Sequence, residues 1–67
     1  MDRLQSLRVF VAVADAGSFS GGARSLGISA PSATRGVAEL EAATGARLFI
    51  RTTRQLRLTE PGRAYLE

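Results

Sequence analysis

Apolar residues recur with a helical period in three successive stretches, and then the period changes to two. Over residues 2–16, Leu4, Leu7, Val11 and Ala14 fall at i, i+3, i+4 spacing and Phe10 widens the stripe, which predicts a first helix packed through that face. Asp2 can cap its first turn, with Gln5 three residues on, a variant of the capping box. Gly17 stops it. Ser18, a good N-cap, opens a second helix that runs to Leu26 with Phe19, Ala23 and Leu26 as its buried stripe. Gly21 and Gly22 lie inside that helix and each costs about 0.5–1 kcal/mol against alanine. Two readings stay open for them: close approach of a helix or a phosphate backbone, or a locally weak helix rescued by packing.

Gly27 stands where a helix end needs a left-handed residue, and Ser29 follows as the N-cap of a third helix over about 29–44, closed by Gly45. Ile28 can staple onto Ala33, and Pro31 is tolerated in a first turn. Ala33, Val37 and Leu40 face inward. Ala30, Pro31, Thr34, Arg35 and Ala38 therefore turn outward, a face of small side chains with one hydroxyl and one guanidinium. Low relief near the N-terminus suits a helix that must enter a groove.

Alternation then takes over. Arg47–Arg51 and Gln55–Leu58 read as two short strands, Leu48 and Phe49 supplying anchorage while Leu56 and Leu58 flank an exposed Arg57. The connection Thr52-Thr53-Arg54 lacks the Asn-Gly signal of a tight hairpin, so its turn type stays open. Thr59 can cap a last helix with Glu60 and Pro61 in its first turn, and no capping signal ends it, as expected of a piece of a longer protein. The fold class is mainly α with a small β-hairpin. A helix, a short Gly-containing turn and a second helix make a helix-turn-helix, and a basic hairpin after it makes a winged helix-turn-helix: a three-helix core, a two-stranded wing and the start of a C-terminal helix.

Sixty-seven residues make one small domain, which buries roughly 60% of the surface its unfolded chain exposes. With no cysteine and no histidine, neither a disulfide nor a structural zinc site is expected, and no cofactor either. The run Val9–Ala14 is far shorter than the roughly 20 residues of a membrane span, and no membrane role is expected. Charge changes the picture more. All nine basic residues are arginine against six acids, a net +3. Arg47, Arg51, Arg54 and Arg57 fall in eleven residues with no acid. A solvated basic face without a partner is the plain reading of such a cluster. Arginine's flat fork of donors also suits phosphate, and a nucleic-acid partner is the leading reading.

With these residues in hand, the chain resembles the N-terminal DNA-binding domain of the LysR-type transcriptional regulators of bacteria. The resemblance is carried by Gly17-Ser18-Phe19-Ser20, Ala23 with Leu26, Ser29 with Pro31, Leu40-Glu41, Gly45, Leu48-Phe49 with Arg51, and Leu58-Thr59 followed by Gly62-Arg63. It covers essentially the whole chain in one register. It implies a DNA-binding domain over 1–58, with the third helix in the major groove of double-stranded DNA and the basic wing, 47–58, on backbone or minor groove. Residues 59–67 would begin a truncated linker or dimerisation helix. It further implies a cytoplasmic, nucleoid-associated regulator that binds an interrupted inverted-repeat operator as a homodimer or higher oligomer. A small-molecule effector would bind only a C-terminal domain that this chain does not contain.

Carried over by position, Ser29 caps the recognition helix and donates to phosphate, while Ala30, Pro31, Thr34 and Arg35 fall where the family contacts DNA. Arg51 and Arg54 fall where its wing does, and Ser18 caps the helix before. Thr34 stands where serine is commoner. Ala30 replaces a usual glutamine, exchanging a partner for an adenine edge for an apolar contact such as a thymine methyl. Gly22 replaces a usual alanine. Glu41 is expected to tether a wing arginine.

Other classes fare worse. An enzyme would need an acid and base at working spacing, and Glu39 and Glu41 point apart on one helix, while Ser18, Ser29 and Ser32 have no base nearby. An RNA binder would expose stacking aromatics, whereas Phe10, Phe19 and Phe49 lie in core patterns and only Tyr65 is left. A winged helix that binds protein would show an apolar patch on the third helix or wing, and the arginines argue against one.

Overall fold

Asp2, Ser18 and Ser29 each sit one residue ahead of a helix and close its first turn. Their side chains accept the N–H of Gln5 at 2.8 Å, of Gly21 at 2.9 Å and of Ser32 at 3.2 Å. The helices so started are α1 (Arg3–Ala16), α2 (Phe19–Leu26) and α3 (Ala30–Thr44). Gly17, Gly27 and Gly45 end them at φ of 74°, 70° and 71°, the left-handed region that costs glycine little. These boundaries follow the sequence expectation closely. The computed structural model describes residues 2–51 and 56–66, and of Arg51 the main chain alone.

The interior is built from Val9, Phe10 and Val13 of α1, Ala23 of α2, and Ala33, Val37 and Leu40 of α3, closed by Leu48 and Phe49. The inward set expected for α3 is the one observed. That of α1 is not. Leu4 is 62% exposed and Val11 42%, and the packed face is Ser6, Val9, Phe10 and Val13. Apolar residues occupy more than one side of α1, and the buried side lies roughly a third of a turn from the expected stripe. Leu26 of α2, also expected inside, is 39% exposed. Val11 and Leu26 instead line a shallow recess between α1 and α2, rimmed by Arg8 and Asp15.

Gly22 explains why the two helices meet as they do. A Cβ built there would lie 2.7 Å from both the Val13 Cα and Cγ2, and 2.8 Å from the Val13 N. The glycine lets α2 touch the main chain of α1, which decides for close helix packing over a merely weak helix.

Strands β1 (Phe49–Arg51) and β2 (Leu56–Leu58) pair antiparallel, with Phe49 opposite Leu58, Ile50 opposite Arg57 and Arg51 opposite Leu56. The first strand starts two residues later than its pattern indicated. Leu48 cannot join the ladder because other groups hold its main chain: its N–H donates to the Glu41 carboxylate and its C=O accepts the Thr59 N–H. The expected turn, Thr52-Thr53-Arg54, and Gln55 lie outside the described residues. Helix α4 (Glu60–Leu66) begins as expected at Thr59, whose Oγ1 accepts the Gly62 N–H at 2.9 Å. It packs close: a Cβ on Gly62 would overlap the Leu48 carbonyl, and the Tyr65 ring meets that of Phe10 edge-on at 6.1 Å. No helix among the described residues is long and apolar enough to cross a membrane.

Candidate nucleic-acid interface

The turn from α2 to α3 is held at both sides. Gly27 donates to the Arg24 carbonyl at 3.2 Å, Ile28 donates to the Ala23 carbonyl at 3.0 Å, and Ile28 leans half-buried on the core. Ser29 then caps α3. With Ala33, Gly36, Val37 and Leu40 buried, this helix has one face left, and on it Pro31, Arg35 and Ala38 are exposed while Ala30 and Thr34 are half-covered. The surface is low, and from Ala30 to Ala38 its one charge is the Arg35 guanidinium.

The hydroxyls there are already committed in part. Ser29 Oγ accepts the Ser32 N–H and lies 2.9 Å from Ser32 Oγ, so the two hydroxyls share one hydrogen bond inside the turn. Ser32, absent from the expected site, adds a second hydroxyl to that turn. Thr34 Oγ1 donates to the Ala30 carbonyl at 3.1 Å and presents its lone pairs outward, as an acceptor. Ser18 is exposed at the start of α2, where its oxygen accepts the Gly21 N–H.

Beside α3 lies a recess of about 190 Å³ whose lining includes Thr34 and Ala38 together with Arg47, Phe19 and Phe49. It brings the exposed face of α3 next to an arginine that the site expected from sequence leaves out. Glu41 shares this recess. Its tether to the wing is main-chain: Oε2 accepts the Leu48 N–H at 2.8 Å. Arg51 enters β1 with its side chain outside the description, and Arg54 lies outside the described residues, so the two wing arginines add no geometry here. Tyr65, the one aromatic left for base stacking, turns its ring to Phe10.

Ser32 carried a readable signal, since a residue three after a serine N-cap faces that cap. Arg47 carried less, because its position depends on how Leu48 is buried and not on local pattern.

Known proteins share this fold. A family model described as bacterial regulatory helix-turn-helix protein, lysR family, matches residues 4–63. An HTH-type transcriptional repressor of Pseudomonas aeruginosa is 45% identical over 67 residues, 100% of this chain and 21% of that protein. The HTH-type transcriptional regulator TfdT of Cupriavidus pinatubonensis is 44% identical over 64 residues, 96% of this chain and 28% of its own. The chain thus spans about a fifth to a quarter of these relatives. Among solved structures, the DNA-binding domain of CbnR in complex with DNA superimposes with a TM-score of 0.91 at 39% identity, covering 98% of this chain and 75% of that one. The DNA-binding domain of BenM with its catB site 1 DNA gives 0.89 at 35% identity, covering 98% and 70%.

Proposed function

Since the chain belongs to the LysR family of bacterial regulatory helix-turn-helix proteins, we propose that it is the sequence-specific, double-stranded DNA-binding domain of a transcriptional regulator. The observation that carries this reading is the exposed face of α3, small and low from Pro31 to Ala38, on a helix whose overlay partners are described in complex with DNA. In this reading α3 enters the major groove. Arginines and helix N-termini hold phosphates and set the register, while Ala30, Pro31, Thr34 and Arg35 test base edges and the adjacent backbone. Ser18 and Ser29 order the N-terminal turns that face the phosphates. Arg51 and Arg54 serve the wing on backbone or minor groove.

The role is binding rather than catalysis. Residues 1–58 form the reading unit, and the helix from Thr59 continues as a linker that pairs two such units on an interrupted inverted repeat. In the whole protein, a separate C-terminal domain binds the small-molecule effector, and the regulator works in the cytoplasm at the nucleoid. A single unit makes few contacts, so its affinity alone is weak and rises once two are tethered, through effective concentration.

Fluorescence anisotropy of a labelled duplex, titrated with the chain at low and at moderate salt, tests the reading. Binding that falls steeply with salt is expected, because each neutralised phosphate releases counterions. No binding at low salt and high protein concentration would overturn it and favour a winged helix that binds protein instead.

A further inference from the structure

Arg47 lies before the wing's first strand, and the peptide that joins it to Leu48 is held at both polar atoms. The carbonyl of Arg47 accepts the Thr59 hydroxyl, and the N–H of Leu48 donates to Glu41 Oε2 at 2.8 Å. One clamp comes from α3 and the other from the cap of α4. The next carbonyl, that of Leu48, accepts the Thr59 N–H at 3.1 Å and is covered by Gly62, while the Leu48 side chain is fully buried. Main chain here is fixed from two sides at once, by α3 and by α4 with its cap. The side chain of Arg47 is nonetheless exposed and borders the recess that Thr34 and Ala38 also line.

An exposed arginine with an ordered root suits an anion that arrives from outside. The entropy of ordering its backbone is already spent in folding, and its planar fork offers two parallel donors to a pair of phosphate oxygens. Its place beside α3, and not on the first turn of that helix, points at the strand backbone that flanks the groove and not at base edges.

We infer that Arg47 grips a duplex phosphate at the flank of α3, and that Glu41 and Thr59 are positioning residues that hold its peptide for that contact. This rests on the DNA-binding reading above and adds a contact outside the strands of the wing.

The test is duplex anisotropy over a salt series with the 67-residue chain. Arg47→Ala is expected to weaken binding about ten-fold on every duplex and to lower the slope of log K against log salt by about 0.9, one phosphate. Arg47→Lys restores the slope, since the charge returns, and only part of the affinity, since the fork does not. Thr59→Val weakens the wild-type chain several-fold and leaves the Arg47→Ala chain unchanged, a coupling that general destabilisation would not produce. Glu41→Gln keeps an acceptor for the Leu48 amide and stays within about two-fold of wild type, as a neutral acceptor still serves.

Wild-type affinity and slope in Arg47→Ala would overturn the contact while leaving DNA binding intact. A loss confined to some sequences with an unchanged slope would overturn the phosphate assignment. Additive effects of Thr59→Val and Arg47→Ala, or a ten-fold loss in Glu41→Gln, would overturn the clamp. If the wild-type chain bound no duplex at all, the premise and not this contact would have failed.

Discussion

Alanine at position 22 pits two forces against each other, and their sizes decide the sign. Replacing a helical glycine with alanine favours the helix by about 0.5–1 kcal/mol. The added methyl would meet Val13 at 2.7 Å on Cα and Cγ2 and 2.8 Å on N. Two of those three atoms are main chain and cannot swing aside, so α1 and α2 must part or tilt. Overpacking of this kind costs about 1–3 kcal/mol. Packing wins, and Gly22→Ala is expected to destabilise the chain by about 1 kcal/mol. A domain of 67 residues holds roughly 3–10 kcal/mol in all, so the loss is a sizeable share. It should appear as a fall of roughly 4–8 °C in the thermal midpoint followed by circular dichroism. A midpoint equal to or above wild type would refute the reasoning, because it would mean that the helix pair relaxes freely and only propensity is left.

Other outcomes can be checked with the same material. Ser29→Ala removes the acceptor of the Ser32 N–H and is expected to cost about 1 kcal/mol, read as a lower midpoint; no change would show that the cap contributes nothing. Arg35→Ala, at an exposed position, should weaken binding to all duplexes with a shallower salt slope, and an unaltered slope and affinity would remove it from the interface. Ala30→Gln should change the preferred base at one position while non-specific affinity stays about constant, and an unaltered ranking of duplexes would show that residue 30 does not face the bases.

What could be read from the chain was whatever is local. Serine and aspartate caps, left-handed glycines and the inward triplet of α3 each depend on neighbours within four residues, and all were legible. The face of α1 was not, because a helix apolar on several sides leaves its orientation to its partners. Here Ser6 is buried while Leu4 is open to solvent. Gly62 illustrates the same limit. Its sequence position indicates a poor helix former, and only the fold brings the Leu48 carbonyl against its Cα. In the site, the outward residues of α3 were legible from its period. The engagement of the Ser29 hydroxyl by Ser32 follows the three-residue spacing of the cap, whereas the place of Arg47 came from hydrogen bonds that no spacing encodes.

Phe49 belongs to the first strand, yet its ring lies 5.3 Å from that of Phe10 on α1 and 5.9 Å from that of Phe19 on α2. The hairpin is therefore joined to the helices through their shared interior and cannot lift away without opening a hole there. Strand β1 and the helices are therefore expected to melt together, and the Phe49 amide to exchange with solvent only as fast as the whole unfolds. Linkage then carries a gain made at the rim into the centre. A ligand held at one hundred times its dissociation constant adds about 2.7 kcal/mol to the entire domain, wherever on that unit it touches.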